Sequence, residues 1–177
     1  DTIPNKYKGG LNKYFTDLNL NKNNFFTDIS NYISYETGQP THCYDANKIS
    51  GKLVFQELDL NEEFETLLGK KIKLTKKNAV FTLDSQVINL AGVVGGKETS
   101  CSHDTKSVII ECAFFKPDSI IGKSVKYDIQ SDASHKFERS VDPACHDMVI
   151  RRFINIVSEH SDIKDMSVVS YKFKDKK

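Results

Sequence analysis

The apolar residues of this 177-residue chain change their spacing several times along its length, and that change limits the fold more than any other feature. After Asn24, the residues Phe26, Ile29, Tyr32 and Ile33 recur three and four apart until Gly38. This pattern predicts a helix of about three turns, capped by Asn24 and stopped by the glycine. The spacing then gives way to short runs, "KLVFQEL", "KIKLT", "AVFTL", "VINLAGVV" and "SVIIECAFF", separated by Gly69, Asp84-Ser85 and Gly95-Gly96. These read as strands joined by turns. Pro117 opens "KPDSIIGKS", which reads as a single helical turn. Asp142-Pro143 reads as an N-cap and first helical residue, after which Val149, Phe153, Ile156 and Val157 restore the helical spacing until Ser161-Asp162. "MSVVSYKF" reads as one further strand.

Helices at both ends of a strand block, without long crossover helices inside it, predict an α+β fold: a mostly antiparallel sheet core flanked by helices. No repeat or linker divides residues 1 to 177, so the expectation is a single domain. The polar residues 1 to 23, with one short helix over "LNKYFTDL", and the tail 174 to 177 are expected at its periphery.

Charge narrows the function classes little. Twenty-five Lys and Arg against 24 Asp and Glu give a formal +1, so no overall basic field announces a nucleic acid, although a local patch fits inside a neutral total. No apolar run approaches the roughly 20 residues needed to span a bilayer, and "DTIPNKYKGG" has no signal-peptide succession. Cys43, Cys101, Cys112 and Cys145 form no C-x-x-C pair, which argues against a zinc ribbon or dithiol site. They read as structural or free thiols of a reducing compartment. The sharper alternative is a Cys-His nucleophile at His42-Cys43 or Cys145-His146, which neighbours pointing apart along a strand or helix would weaken.

Chemistry concentrates in a few segments. In "SVIIECAFF", Glu111 shares a strand face with Ile109, Ala113 and Phe115, while Val108, Ile110, Cys112 and Phe114 take the other. A carboxylate between apolar faces is paired, neutral, at an edge, or used. A Gly-Gln-Pro turn in "ETGQPTHCYDANKI" leads out of the first helix and places His42 and Asp45 in a loop. A histidine there is equally a structural hydrogen-bonder. The glycines of "NLAGVVGGKETS" read as a tight turn, or as backbone that a ligand approaches closely. No G-K-[ST] follows, which argues against a phosphate loop. "QSDASHKFERSVDP" reads as a solvated loop or as a pocket wall offering Ser131, Ala133 and Ser134.

In this order and spacing, "DISNYISYETGQPTHCYD", "LAGVVGG", "VIIECAFF" and "SDASHKFERSVDP" resemble the editing module of the β subunit of bacterial-type phenylalanyl-tRNA synthetase, over about residues 24 to 157. In that family the patterns run D-V-T-N-Y, G-Q-P-x-H-A-F-D, L-A-G-V-M-G-G, a Glu-containing apolar strand, and T-D-A-S-x-R-F-E-R-G-V-D-P. The resemblance implies hydrolysis of tyrosine mischarged onto the phenylalanine tRNA, in the cytoplasm, with no cofactor or metal. It also implies the synthetase α subunit as a partner through a longer β subunit. His42 and Glu111 would act in catalysis, with Asn31, Pro40, Gly95, Ser131 and Ala133 binding substrate. Glu111 would meet the phenolic hydroxyl, His42 would orient water or ribose, and backbone N–H groups around Gly95 and Gly96 would serve the oxyanion.

Four departures stand out. Ser131 replaces threonine, Ser140 replaces glycine, Cys43-Tyr44 replaces Ala-Phe, and "LNKNNFF" lacks an Arg-Pro pair. The alternatives are a structural or tRNA-docking module that has lost editing, and an unrelated binding or thiol-dependent domain.

Overall fold

The computed structural model describes residues 4 and 6–171. Helix α1 (Gly9–Asp17) precedes α2 (Phe25–Thr37), which forms where the spacing places it. The Asn24 side chain accepts from the Thr27 N–H, and Gly38 ends the helix in the left-handed region at φ 78°. Asn24 also donates from Nδ2 to the Cys101 carbonyl, so one side chain caps the helix and ties it to a distant loop. Asn24→Ala is expected to lower stability by about 1 kcal/mol, the usual worth of an N-cap, measurable as a reduced denaturation midpoint. An unchanged midpoint would show that the cap contributes nothing.

Strand β1 (Thr41–Asp45) leaves α2 through Pro40, and a short 3-10 turn follows it. A long hairpin comes next, β2 (Leu53–Glu65) against β3 (Lys71–Leu83). "KIKLT" and "AVFTL" are therefore one strand rather than two, because Lys76 at φ 60° takes the irregularity within the strand without ending it. Opposite charges face each other along this hairpin, with Asp59 opposite Lys77, Glu63 opposite Lys73 and Glu65 opposite Lys71. Asp84 and Ser85, both at positive φ, make a two-residue turn into β4 (Gln86–Leu90), and β5 (Val94–Gly95) completes the four-stranded order β2-β3-β4-β5. Strand β6 (Val108–Cys112) pairs with β1 instead, and all pairings are antiparallel. The fold is α+β, as the sequence predicts.

Two apolar clusters fill it. One lies on the four-stranded sheet and takes in Leu74, Val80 and Leu90, with Phe115, Ile120 and Phe137 from the segment holding α3 (Pro117–Ile120), α4 (Lys123–Tyr127) and α5 (Asp132–Glu138). The other joins α1, α2 and α6 (His146–His160) to the inner face of the β1–β6 pair through Leu11, Ile29, Ile33, Val149 and Phe153. Among the described residues no helix is long and apolar enough to cross a membrane.

Several expectations need correction. The segment expected at the periphery places Tyr7, Leu11 and Phe15 in the second cluster, with the Tyr7 hydroxyl donating to buried Asp28 at 2.6 Å. The main-chain N–H of Lys8 donates to His160 Nε2 at 2.8 Å, joining the start of α1 to the end of α6. Asp142 does not cap α6: it accepts from the Ala144 N–H in a preceding turn, and the helix starts at His146 with Cys145 as its N-cap. Residues 162–171, which include most of the expected last strand, form no strand, and Met166, Val168, Val169 and Tyr171 are exposed. The remainder of that expectation, residues 172–173, and the tail 174–177 lie outside the described residues.

Candidate active site

His42 and Glu111 are direct cross-strand partners in the β1–β6 ladder, so their side chains leave the same face. Residues 41–45, expected as a loop, are the strand that makes this possible. At period two, Tyr44 joins His42 on that face, and the two rings meet edge to face at 4.5 Å. The face abuts the four-stranded sheet. The Tyr44 hydroxyl donates to Glu111 Oε2 at 2.7 Å, and Asn89 Nδ2 donates to the same hydroxyl at 2.7 Å. Asn89 Nδ2 stands 3.5 Å from Glu111 Oε2. Among the described residues no hydrogen bond reaches Glu111 Oε1, and no lysine or arginine pairs with the carboxylate.

Burial raises the Glu111 carboxyl to about 7, and the Tyr44 hydrogen bond opposes that rise. Burial lowers the His42 imidazole to about 4, so it is neutral at pH 7, and its buried Nε2 has no partner among the described residues. Burial, reinforced by the Glu111 charge, lifts the Tyr44 hydroxyl well above the usual phenol range and keeps it a donor. An unpaired imidazole nitrogen and a carboxylate held by neutral donors are both costly in a folded interior.

Gly95 completes the group. A Cβ on it would lie 2.3 Å from His42 Cε1, 2.8 Å from Nε2 and 2.9 Å from Leu67 Cδ2, so only glycine fits beneath the ring. The neighbouring Gly96 N–H is taken by the Ile88 carbonyl at 2.8 Å, which removes it as the oxyanion donor expected from sequence.

The remaining residues expected at the site lie on elements next to β1 and β5, and none of them contacts His42 or Glu111 through a hydrogen bond among the described residues. Ser131 is the N-cap of α5, accepting from the Ser134 N–H, and its hydroxyl donates to the Val93 carbonyl at 2.7 Å, which fastens α5 to the turn leading into Gly95. Residues 132–138, expected as a loop, are therefore helical. Ala133 is half-buried and packs on the first cluster. Pro40 is buried, and Gln39 Nε2 donates to both the Pro40 and Ala113 carbonyls at 2.9 Å, fixing the start of β1 beside the end of β6. Asn31 is exposed on α2, next to Ser30, whose hydroxyl donates to the Thr41 carbonyl. Tyr44 and Asn89 are the members that sequence reading missed. Asn89 carried a signal, a polar residue set among the apolar residues of "VINL".

Two other possibilities weaken. A cleft of about 370 Å3 lined by Glu62, Phe64, Lys71, Gln86 and Lys97 includes neither His42 nor Glu111. Burial raises all four thiols, Cys101 to about 11 and Cys112 to about 12, so none is a ready nucleophile at neutral pH. Among the described residues no group of three or more His, Cys, Asp or Glu side chains is placed to hold a metal ion.

Comparison with known proteins bears out the resemblance carried by the four motifs. Residues 10–162 match the B3/4 domain. The chain is 36% identical over 135 residues to the phenylalanine–tRNA ligase beta subunit of Francisella tularensis, covering 76% of this chain and 17% of that protein. It is 40% identical over 134 residues to the subunit of that name from Ehrlichia canis, covering 75% and 17%. For Zymomonas mobilis the identity is 44% over 117 residues, covering 66% and 15%. The chain thus spans about a sixth of the length of these relatives, and within them it corresponds to one unit: it belongs to the B3/4 domain family.

Proposed function

We propose that this chain is a hydrolytic editing module of a phenylalanine–tRNA ligase β subunit, acting in the cytoplasm on phenylalanine tRNA mischarged with tyrosine. The observation that carries the reading is the pairing of Glu111 against a neutral His42, with Glu111 Oε1 and His42 Nε2 both unpartnered among the described residues. Tyrosine differs from phenylalanine by one hydroxyl, and a half-buried carboxylate oxygen without a protein donor discriminates in its favour. A site built to bond a hydroxyl rejects the analogue lacking it by up to about 10⁴-fold, because its polar group is then left unpaired.

The reaction asks for a water molecule rather than a protein nucleophile. Water adds to the ester carbonyl, the carbonyl–ribose bond breaks, and tyrosine and free tRNA leave. An imidazole lowered to about 4 is a weak base, so His42 holds and orients that water through Nε2 more than it takes its proton. Gly95 gives it room, and Ser131, Ala133, Pro40 and Asn31 line the approach. The α subunit and the rest of the β subunit supply the synthetic site and most of the tRNA contact, as a chain of net charge +1 offers few phosphate contacts.

The test is deacylation of labelled Tyr-tRNA and Phe-tRNA by this chain and by the full ligase that contains it. The expected result is hydrolysis of the tyrosyl ester well above the spontaneous rate with the phenylalanyl ester spared. Equal, spontaneous rates for both esters with the full ligase would leave a docking module in place of an editing one.

A further inference from the structure

Of the groups around Glu111, Tyr44 has the least ordinary position: a phenol from the protein's own core already sits on the carboxylate. Two explanations compete. The phenol is either a plug that an incoming hydroxyl must displace, or a fixed support that orients the carboxylate for it. Tyr44 is 0% exposed and Asn89 is 3% exposed, and the Tyr44 ring is wedged against His42 and Phe81. A side chain so enclosed has no space to swing into, and its hydroxyl oxygen is held from behind by Asn89 Nδ2. The arrangement is a directional relay, amide to phenol to carboxylate, that engages Oε2 and leaves Oε1 as the open acceptor.

We propose that Tyr44, backed by Asn89, is the positioning residue that sets specificity at this site, pinning Glu111 by Oε2 so that Oε1 faces a ligand's phenolic hydroxyl. The inference rests on the reading of Glu111 given above and adds the means by which that carboxylate is held. It has a second consequence. A hydrogen bond donated to a carboxylate favours its charged form, and the charged form is the acceptor a phenol needs. His42 on β1 is the other titratable group sharing Glu111's face with Tyr44, while Cys43 on β1 and Cys112 on β6 point to the opposite face. His42 is neutral near pH 7 and both thiols are raised, so among the described residues no cation does this work in place of Tyr44.

The experiment compares the chain with Tyr44→Phe, which removes only the hydroxyl, and with the double variant Tyr44→Phe/Asn89→Leu, which leaves no orphaned amide and so protects the fold. Two readouts are taken. One is the titration of the Glu111 side-chain carboxyl, followed by NMR on glutamate-labelled protein, which needs no ligand. The other is binding of tyrosine amide against phenylalanine amide. The expected result is a titration midpoint that moves upward in both variants, together with a loss of about tenfold or more in preference for tyrosine amide and little change for phenylalanine amide. An unmoved midpoint, or a moved midpoint with preference intact, would overturn the positioning role. Tighter binding of tyrosine amide by Tyr44→Phe would also overturn it, since that is the behaviour of a plug. If the unaltered chain does not prefer tyrosine amide, the reading of Glu111 as the phenol acceptor fails, while the titration alone still decides whether Tyr44 holds the carboxylate.

Discussion

Glu111→Ala is expected to cut hydrolysis of the tyrosyl ester by about 10- to 100-fold, and Glu111→Gln is expected to stabilise the fold above neutral pH while losing tyrosine preference. The first figure is the worth of a hydrogen bond to a charged group, about 1.5–3 kcal/mol, removed from the complex with tyrosine and not from that with phenylalanine. The second follows from the direction of the carboxyl's shift. Its folded value, about 7, lies above the ordinary 4.5, so the folded state holds the proton more tightly than the unfolded state does. Its contribution is fully present below pH 4.5 and is lost as pH rises through 7. The loss amounts to about 2–3 kcal/mol after allowance for the residue's remaining contact with water. Glutamine does not titrate and loses nothing.

His42 runs the other way, because a folded value near 4 gives stability that is present above 6.5 and lost as pH falls through 4. In the native chain the two trends oppose each other between about pH 4.5 and 6.5. The difference in melting temperature between native chain and Glu111→Gln isolates the carboxylate: small near pH 4.5 and in favour of the variant at pH 8. If Glu111 were a structural anchor the variant would melt lower at every pH, and none of the ion pairs among the described residues includes it. Hydrolysis by Glu111→Ala at the native rate would remove Glu111 from the site altogether.

Gly95→Ala is the second large effect. The added methyl would sit 2.3 Å from His42 Cε1, so either the imidazole swings out or the strand shifts. A displacement of about 1 Å at a water-positioning group lowers hydrolysis on the order of 10²-fold, and the overpacking lowers stability by about 1–3 kcal/mol. Gly122→Asn makes a suitable control: unlike Gly95, Gly122 lies at positive φ, a region asparagine tolerates, and it has nothing within 4 Å of a built Cβ. The control is expected to hydrolyse at the native rate. Native-rate hydrolysis by Gly95→Ala would show that the position of His42 does not matter to the reaction.

The parts legible in the sequence were those whose signal is local. Asn24 and Gly38 bracket α2 by their own conformational preferences, and Asp84, a residue that tolerates positive φ, opens the tight hairpin turn that Ser85 completes. Ser140 at φ 69° stands in the left-handed region where the related pattern carries glycine, so that departure is a strained position rather than a changed one. What was missed depends on partners far away in the chain. "THCYD" reads as a loop because its histidine and aspartate are polar, yet pairing with Val108–Cys112 makes it a strand and buries Cys43, Tyr44 and Asp45. "DASHKFE" shows only Phe137 as a strong apolar residue, too few for a periodicity, and its helix is set by the Ser131 cap and by packing on Phe115. "MSVVSYKF" has the composition of a strand but no neighbouring edge to pair with among the described residues, and composition alone does not make a ladder. For Glu111 the sequence supplied the carboxylate and its apolar setting, while Tyr44 and Asn89, which hold it, come from 67 and 22 residues away.

The bond from Lys8 to His160 bears on how such a unit travels between proteins. With the first turn of α1 touching the last turn of α6, a longer polypeptide carrying this unit enters and leaves it at one doorway. Splicing the unit into a surface bend of a host therefore separates the host's two flanking residues by little more than a hairpin would. Host and guest can each close their own core on either side of that doorway.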